Sequence, residues 1–126
     1  MIGSTRAVRV FAYAKPVDMR KAYEGLSAIV RNELGRDLLA GDLFLFVGRR
    51  RKTAKVLFFD GTGLCILMKK IARGQFAAPW RRAEGQTLEL TVSELALFVE
   101  GSEVIGRISL SPRSLGGSDL VISAPQ

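Results

Sequence analysis

Three runs of β-forming residues follow one another between residues 43 and 71, separated only by short polar segments. They are residues 43–47 (Leu-Phe-Leu-Phe-Val), residues 53–60 and residues 64–71. Apolar runs of this length, bounded by turn formers, read as strands rather than helices. Asp60-Gly61-Thr62-Gly63 joins the last two as a tight hairpin turn, in which glycine supplies positive φ and aspartate bonds its own backbone. The spacing therefore predicts a three-stranded meander at the centre of the fold.

The flanks supply the rest. Residues 8–13 fit a first strand that stops before Lys15-Pro16, and residues 87–90 a short later one. Asp18 is placed to cap a helix whose apolar positions Met19, Ala22, Tyr23, Leu26, Ile29, Val30 and Leu34 share one face. Gly25 weakens that helix by roughly 1 kcal/mol against alanine, and Gly35 is its stop. Thr91 and Glu94 have capping-box spacing ahead of a second, short helix ending at Gly101. The prediction is an α+β domain over residues 1–106: a small antiparallel sheet with a central β-meander, packed against one long and one short helix. Residues 107–126, rich in Ser, Gly and Pro, read as a flexible tail in which only Leu120-Val121-Ile122 could form a strand.

A chain of 126 residues with 48% hydrophobic content can bury the core of one domain. No run approaches the roughly 18 apolar residues that span a bilayer, and residues 1–9 lack the apolar stretch of a secretory leader. Cytoplasmic residence with no membrane partner is the default expectation. The single cysteine, Cys65, excludes an internal disulfide and reads as a buried small hydrophobe. Histidine is absent, which removes the commonest neutral-pH acid/base and the commonest transition-metal ligand.

Charge is concentrated. Ten of the nineteen Lys and Arg residues lie between Arg49 and Arg82, opposed only by Asp60, so this stretch carries +9 against a whole-chain charge of +7. Arg49, Arg50, Arg51 and Lys52 are consecutive between two strands. Their mutual repulsion is relieved by solvent or by phosphate, which arginine grips with paired hydrogen bonds. Lys55, Lys69, Lys70 and Arg73 are expected at the same end of the sheet, away from the Asp60 turn, with Lys55 near Lys69 or its neighbour. These eight residues form the candidate nucleic-acid site, with Arg20, Lys21, Arg81 and Arg82 as further partner or DNA contacts.

Catalytic chemistry finds little support. Asp18, Asp37, Asp42 and Asp60 are the acids available to a metal-dependent nuclease, but their spacing forms no ligand cluster. Asp18 is better explained as a cap and Asp60 as a turn former. Ser109 and Ser111 have no histidine partner, and Gly61-Thr62-Gly63 lacks the length and the following Lys of a phosphate loop. No catalytic residue, metal ligand or cofactor is assigned. Adjacent Phe58 and Phe59 must face opposite sides of a strand. Phe76 and Trp80 read first as anchors of a long loop, with base stacking as the alternative.

The residues also carry a family resemblance. Val17-Asp18-Met19-Arg20-Lys21 with Tyr23-Glu24-Gly25-Leu26 resembles one signature of TnpB, the accessory protein of the insertion-sequence 66 family of bacterial mobile elements. Phe46-Val47-Gly48-Arg49-Arg50, Lys55-Val56-Leu57 and Asp60-Gly61-Thr62-Gly63-Leu64 are similar to a second, and Arg73-Gly74-Gln75-Phe76 with residues 88–97 continues it. The family commonly has tryptophan where this chain has Phe59, and a different aromatic-proline ending where it runs Phe76-Ala77-Ala78-Pro79-Trp80. The resemblance covers residues 8–101 and implies a non-enzymatic role in transposition beside a separate transposase, with no catalytic residue to carry over.

Together these readings predict a bridging factor whose basic segment holds DNA backbone while other surfaces meet the transposase or another copy of the chain. The alternatives are a protein-interaction module whose basic face meets an acidic transposase surface without touching DNA, and a divergent metal-dependent nuclease.

Overall fold

The computed structural model describes residues 7–101. Five strands form one sheet: β1 (Val10–Tyr13), β2 (Leu43–Val47), β3 (Thr53–Phe59), β4 (Leu64–Lys70) and β5 (Thr87–Leu90), in the order β4-β3-β2-β1-β5. The meander is present: β2 pairs antiparallel with β3, and β3 with β4. β1 and β2, by contrast, run parallel, with Val10 opposite Leu43, so the sheet is mixed rather than wholly antiparallel. A parallel neighbour requires a crossover, and the helix between β1 and β2 provides it. β5 closes the other edge antiparallel to β1.

Burial on both faces explains the unbroken apolar runs of β1 and β2, which show little alternation of polar and apolar residues. On one face Phe11, Tyr13, Phe44, Phe46 and Leu57 pack with Leu26, Ile29 and Val30 of the first helix. On the other, Val10, Ala12, Leu45, Val47, Ala54 and Val56 pack with Phe76 and with Leu95 and Phe98 of the second. The two helices therefore cover opposite faces.

The first helix is shorter than expected. α1 spans Tyr23–Ala28 and continues as a wider π-helical turn, Ile29–Glu33, where Leu34 N–H donates to the Ile29 carbonyl at 3.0 Å. Its N-cap is Ala22, with no side-chain cap, so Asp18 is not the capping residue. Instead the Asp18 carboxylate accepts the Arg20 backbone N–H at 2.9 Å within a turn, and Val17 forms a bridge to Gly48. A Cβ at Gly48 would lie 2.8 Å from Met19 Cγ, so a larger residue there would force the Met19 side chain to shift. Gly35, at φ +63°, follows the helical run as predicted. α2 spans Val92–Val99 and begins with the predicted capping box: Glu94 N–H donates to Thr91 Oγ1 at 3.0 Å and Thr91 N–H to Glu94 Oε1 at 2.8 Å.

The hairpin turn also forms as predicted. Asp60 Oδ1 accepts from the N–H groups of Thr62 (2.8 Å) and Gly63 (3.0 Å), while Gly61 takes φ +106°. Those backbone donors hold the Asp60 carboxyl at a pKa of about 2. Cys65 is half-buried on edge strand β4, not enclosed in the core. Its thiol pKa is raised by burial and by the neighbouring Asp60 carboxylate, which disfavours the reactive thiolate. Phe76 is buried and stacks on Phe98 with centroids 5.3 Å apart, and Trp80, partly buried, packs against the same core cluster, so both rings serve the core. The tail over residues 107–126, including Leu120-Val121-Ile122, lies outside the described residues.

Candidate nucleic-acid interface

The β2–β3 connection and the segment after β4 are sewn together. Thr53 pairs with Lys70, so Lys69, Lys70 and Arg73 emerge at the same end of the sheet as Arg49, Arg50, Arg51 and Lys52, opposite the Asp60 turn. Ile71 N–H then donates to the Lys52 carbonyl (2.8 Å) and Phe76 N–H to the Arg51 carbonyl (2.8 Å). Gln75 Nε2 donates to the Arg50 carbonyl at 3.1 Å. These bonds fix two cationic segments, well separated in sequence, as one rim.

Some cations of the rim hold it together. Arg51 donates to the Phe76 carbonyl (3.1 Å) and to Gln75 Oε1 (3.0 Å). Its backbone sits in the left-handed region at φ +61°, a conformation costing a non-glycine residue roughly 1 kcal/mol, and the contacts to residues 75–76 hold it there. Lys52 Nζ donates to the Gly74 carbonyl at 2.6 Å. Lys69 Nζ donates to the Val99 carbonyl at 2.8 Å, satisfying an acceptor at the C-terminus of α2, where a cation also complements the helix dipole.

Lys55 lies elsewhere. Its register partner is Met68, the neighbour of Lys69, so Lys55 and Lys69 point to opposite faces. Only 7% exposed, Lys55 donates from Nζ to the carbonyls of Met19 (2.8 Å) and Lys21 (2.7 Å). The charge is spent inward, on backbone acceptors that a helix starting at Asp18 would have used itself. Sequence inspection missed this role because a lysine within a basic cluster looks like the others. The one signal was its position in an otherwise apolar strand.

Arg49, Arg50, Lys70 and Arg73 remain exposed, and their side chains make no hydrogen bond or ion pair among the described residues. Arg20 and Lys21 lie on the turn that packs against Gly48, hence at the same end of the sheet. Arg20 is engaged with Asp18, Nη2 to Oδ2 at 2.7 Å, which pushes the carboxyl well below its usual range and raises the guanidinium pKa. Arg81 and Arg82 lie on and just after a 3-10 turn (Pro79–Arg81) that packs against β1 and β5, on the side of the sheet away from β3 and β4. The four candidate acids are likewise dispersed. Asp18 holds its turn, Asp37 accepts from Leu39 N–H, Asp42 accepts from Arg9 N–H, and Asp60 forms the hairpin. No group of three metal-ligating side chains converges among the described residues.

Fold and site define a small α+β domain with a rigid cationic rim at one end of a mixed sheet. The family described as IS66 Orf2 like protein matches residues 8–107, and the chain belongs to that family. Two proteins of Sinorhizobium fredii (strain NBRC 101917 / NGR234) are similar. Uncharacterized protein y4jC is 32% identical over 101 residues, covering 80% of this chain and 85% of its own. Uncharacterized protein y4hO is 34% identical over 101 residues, covering 80% and 86%. No solved structure matches. Family membership gives the protein a non-enzymatic accessory role in transposition, within a system that includes a transposase. No helix among the described residues is long and apolar enough to cross a membrane.

Proposed function

We propose that the protein serves transposition by gripping DNA backbone with the rim at the β2–β3 end of its sheet, while other surfaces meet the transposase or a second copy of the chain. One observation carries this reading: backbone hydrogen bonds pin both cationic segments together while Arg49, Arg50, Lys70 and Arg73 extend into solvent. Holding like charges together unpaired is unfavourable in isolation and becomes favourable when phosphates displace their counterions. The contact is with the phosphate backbone.

Four phosphate contacts give log affinity for duplex DNA a slope of about −4 against log salt. Neutralising Arg49 and Arg50 together flattens the slope by about two. Titrations at several salt concentrations test this, with circular dichroism confirming that the double variant is folded. Absence of binding at low salt, or a slope the double variant leaves unchanged, refutes the DNA contact. Mixing the protein with transposase and element-end DNA, separately and together, then tests bridging. A protein–protein complex formed while DNA binding is absent assigns the rim to an acidic surface of the transposase instead.

A further inference from the structure

β4 is an edge strand of seven residues, five of them apolar (Leu64, Cys65, Ile66, Leu67 and Met68), and no strand pairs with its outer side among the described residues. Leu67 and Met68 are 55% and 58% exposed. Long, apolar, unbulged edges invite pairing with another chain, and proteins usually blunt them.

The direction of the unused backbone groups follows from the hairpin. Asp60 N–H donates to the Gly63 carbonyl at the turn, and Ile71 N–H to the Lys52 carbonyl at the far end. Hydrogen-bonded pairs alternate along an antiparallel ladder, so Cys65, Leu67 and Lys69 direct their N–H and C=O groups toward β3. Leu64, Ile66, Met68 and Lys70 therefore direct theirs outward.

We infer that β4 pairs antiparallel with β4 of a second copy, on a two-fold axis passing beside Leu67, joining two sheets into one of ten strands. The strand is complementary to itself in three respects. In the register centred on Leu67, Ile66 meets Met68 and Leu64 meets Lys70 of the second copy, so every outward-facing residue finds an outward-facing partner. The side-chain pairs are then Leu67 with Leu67 and Ile66 with Met68, which are apolar cross-strand contacts. Charge selects the direction. One end of β4 carries Lys69, Lys70 and Arg73, and the other the Asp60 turn. Antiparallel pairing sets each basic end beside the acidic turn of the other copy, whereas parallel pairing would stack the basic ends. The pairing rests on the strand and is independent of DNA contact. Its consequence for bridging is geometric: two basic rims face away from each other, offset by about 20 Å along the strand direction.

Sedimentation of the full chain over a range of concentrations tests the pairing. The wild-type protein should dimerise, and Leu67→Lys, which sets two cations directly opposite, should weaken the dimer roughly tenfold. Circular dichroism should be unchanged, because the side chain replaced is already largely exposed. Leu67→Glu should be weakened likewise, and mixing the two variants should restore association. Amide exchange at Ile66 and Met68 should slow as wild-type concentration rises. A wild-type monomer at the highest soluble concentration overturns the inference, as does a dimer indifferent to Leu67→Lys, a mixture that fails to associate, or exchange independent of concentration. A monomer that still binds DNA with the steep salt slope would remove the pairing and leave the DNA reading intact.

Discussion

Replacing Lys55 by methionine separates a structural cation from a DNA-binding one. The apolar stem keeps its volume in the core while two charge-assisted hydrogen bonds, to the carbonyls of Met19 and Lys21, disappear. Such bonds contribute about 1.5–3 kcal/mol each, so the gross loss is about 3–6 kcal/mol. Removing an ammonium from a site only 7% exposed relieves several kcal/mol of desolvation, and water can reach the carbonyl of exposed Lys21. The net destabilisation is about 1–3 kcal/mol. With a urea m-value of about 2 kcal/mol/M, the midpoint falls by roughly 0.5–1.5 M while m stays constant. The salt slope of DNA binding by the folded variant should equal that of wild type, since this ammonium faces the 17–21 turn and not the solvent. An unchanged midpoint combined with a slope shallower by about one would refute the argument and make Lys55 a phosphate contact.

Leu26→Ala empties a fully buried position beneath α1 and should cost about 2–5 kcal/mol in a denaturant melt. Arg20→Ala breaks only a solvent-exposed pair with Asp18 and should leave the midpoint close to wild type. The Tyr13 hydroxyl donates to Glu33 Oε1 at 2.5 Å, and burial first, then that hydrogen bond and the Glu33 charge, push its pKa from 10.0 to about 12. The folded state thus holds the phenolic proton more tightly. That stabilisation is fully present below pH 10 and is lost as pH rises toward 12. In a Tyr23→Phe background, where Tyr13 is the sole tyrosine, phenolate absorbance appearing near pH 10 would contradict this. We also propose that residues 1–106 fold without the remainder: deleting residues 108–126, beyond the family match, should shift the melting midpoint only slightly, and loss of cooperative unfolding would defeat the proposal.

Local chemistry was legible in the sequence. The meander, the Asp60 turn, the capping box at Thr91 and Glu94, and the convergence of the basic segments at one sheet end all depend on contacts between near neighbours or on hairpin register. The family could be recognised too, because its signatures are short runs of particular residues. What sequence could not supply was the consequence of long-range contact. β1 pairs parallel with β2 because α1 crosses over one face between them, a choice made by packing across the whole sheet. Lys55 looks like any other cation of its cluster until strand register turns it inward and the carbonyls of Met19 and Lys21 close on it, ahead of the start of α1. Similarly, Arg51, Lys52 and Lys69 became tethers and Arg49, Arg50, Lys70 and Arg73 stayed exposed, because acceptors from distant segments reach the first three and not the rest. Residue type and spacing determined where positive charge collects; only the tertiary structure decided which charges it consumes and which it presents.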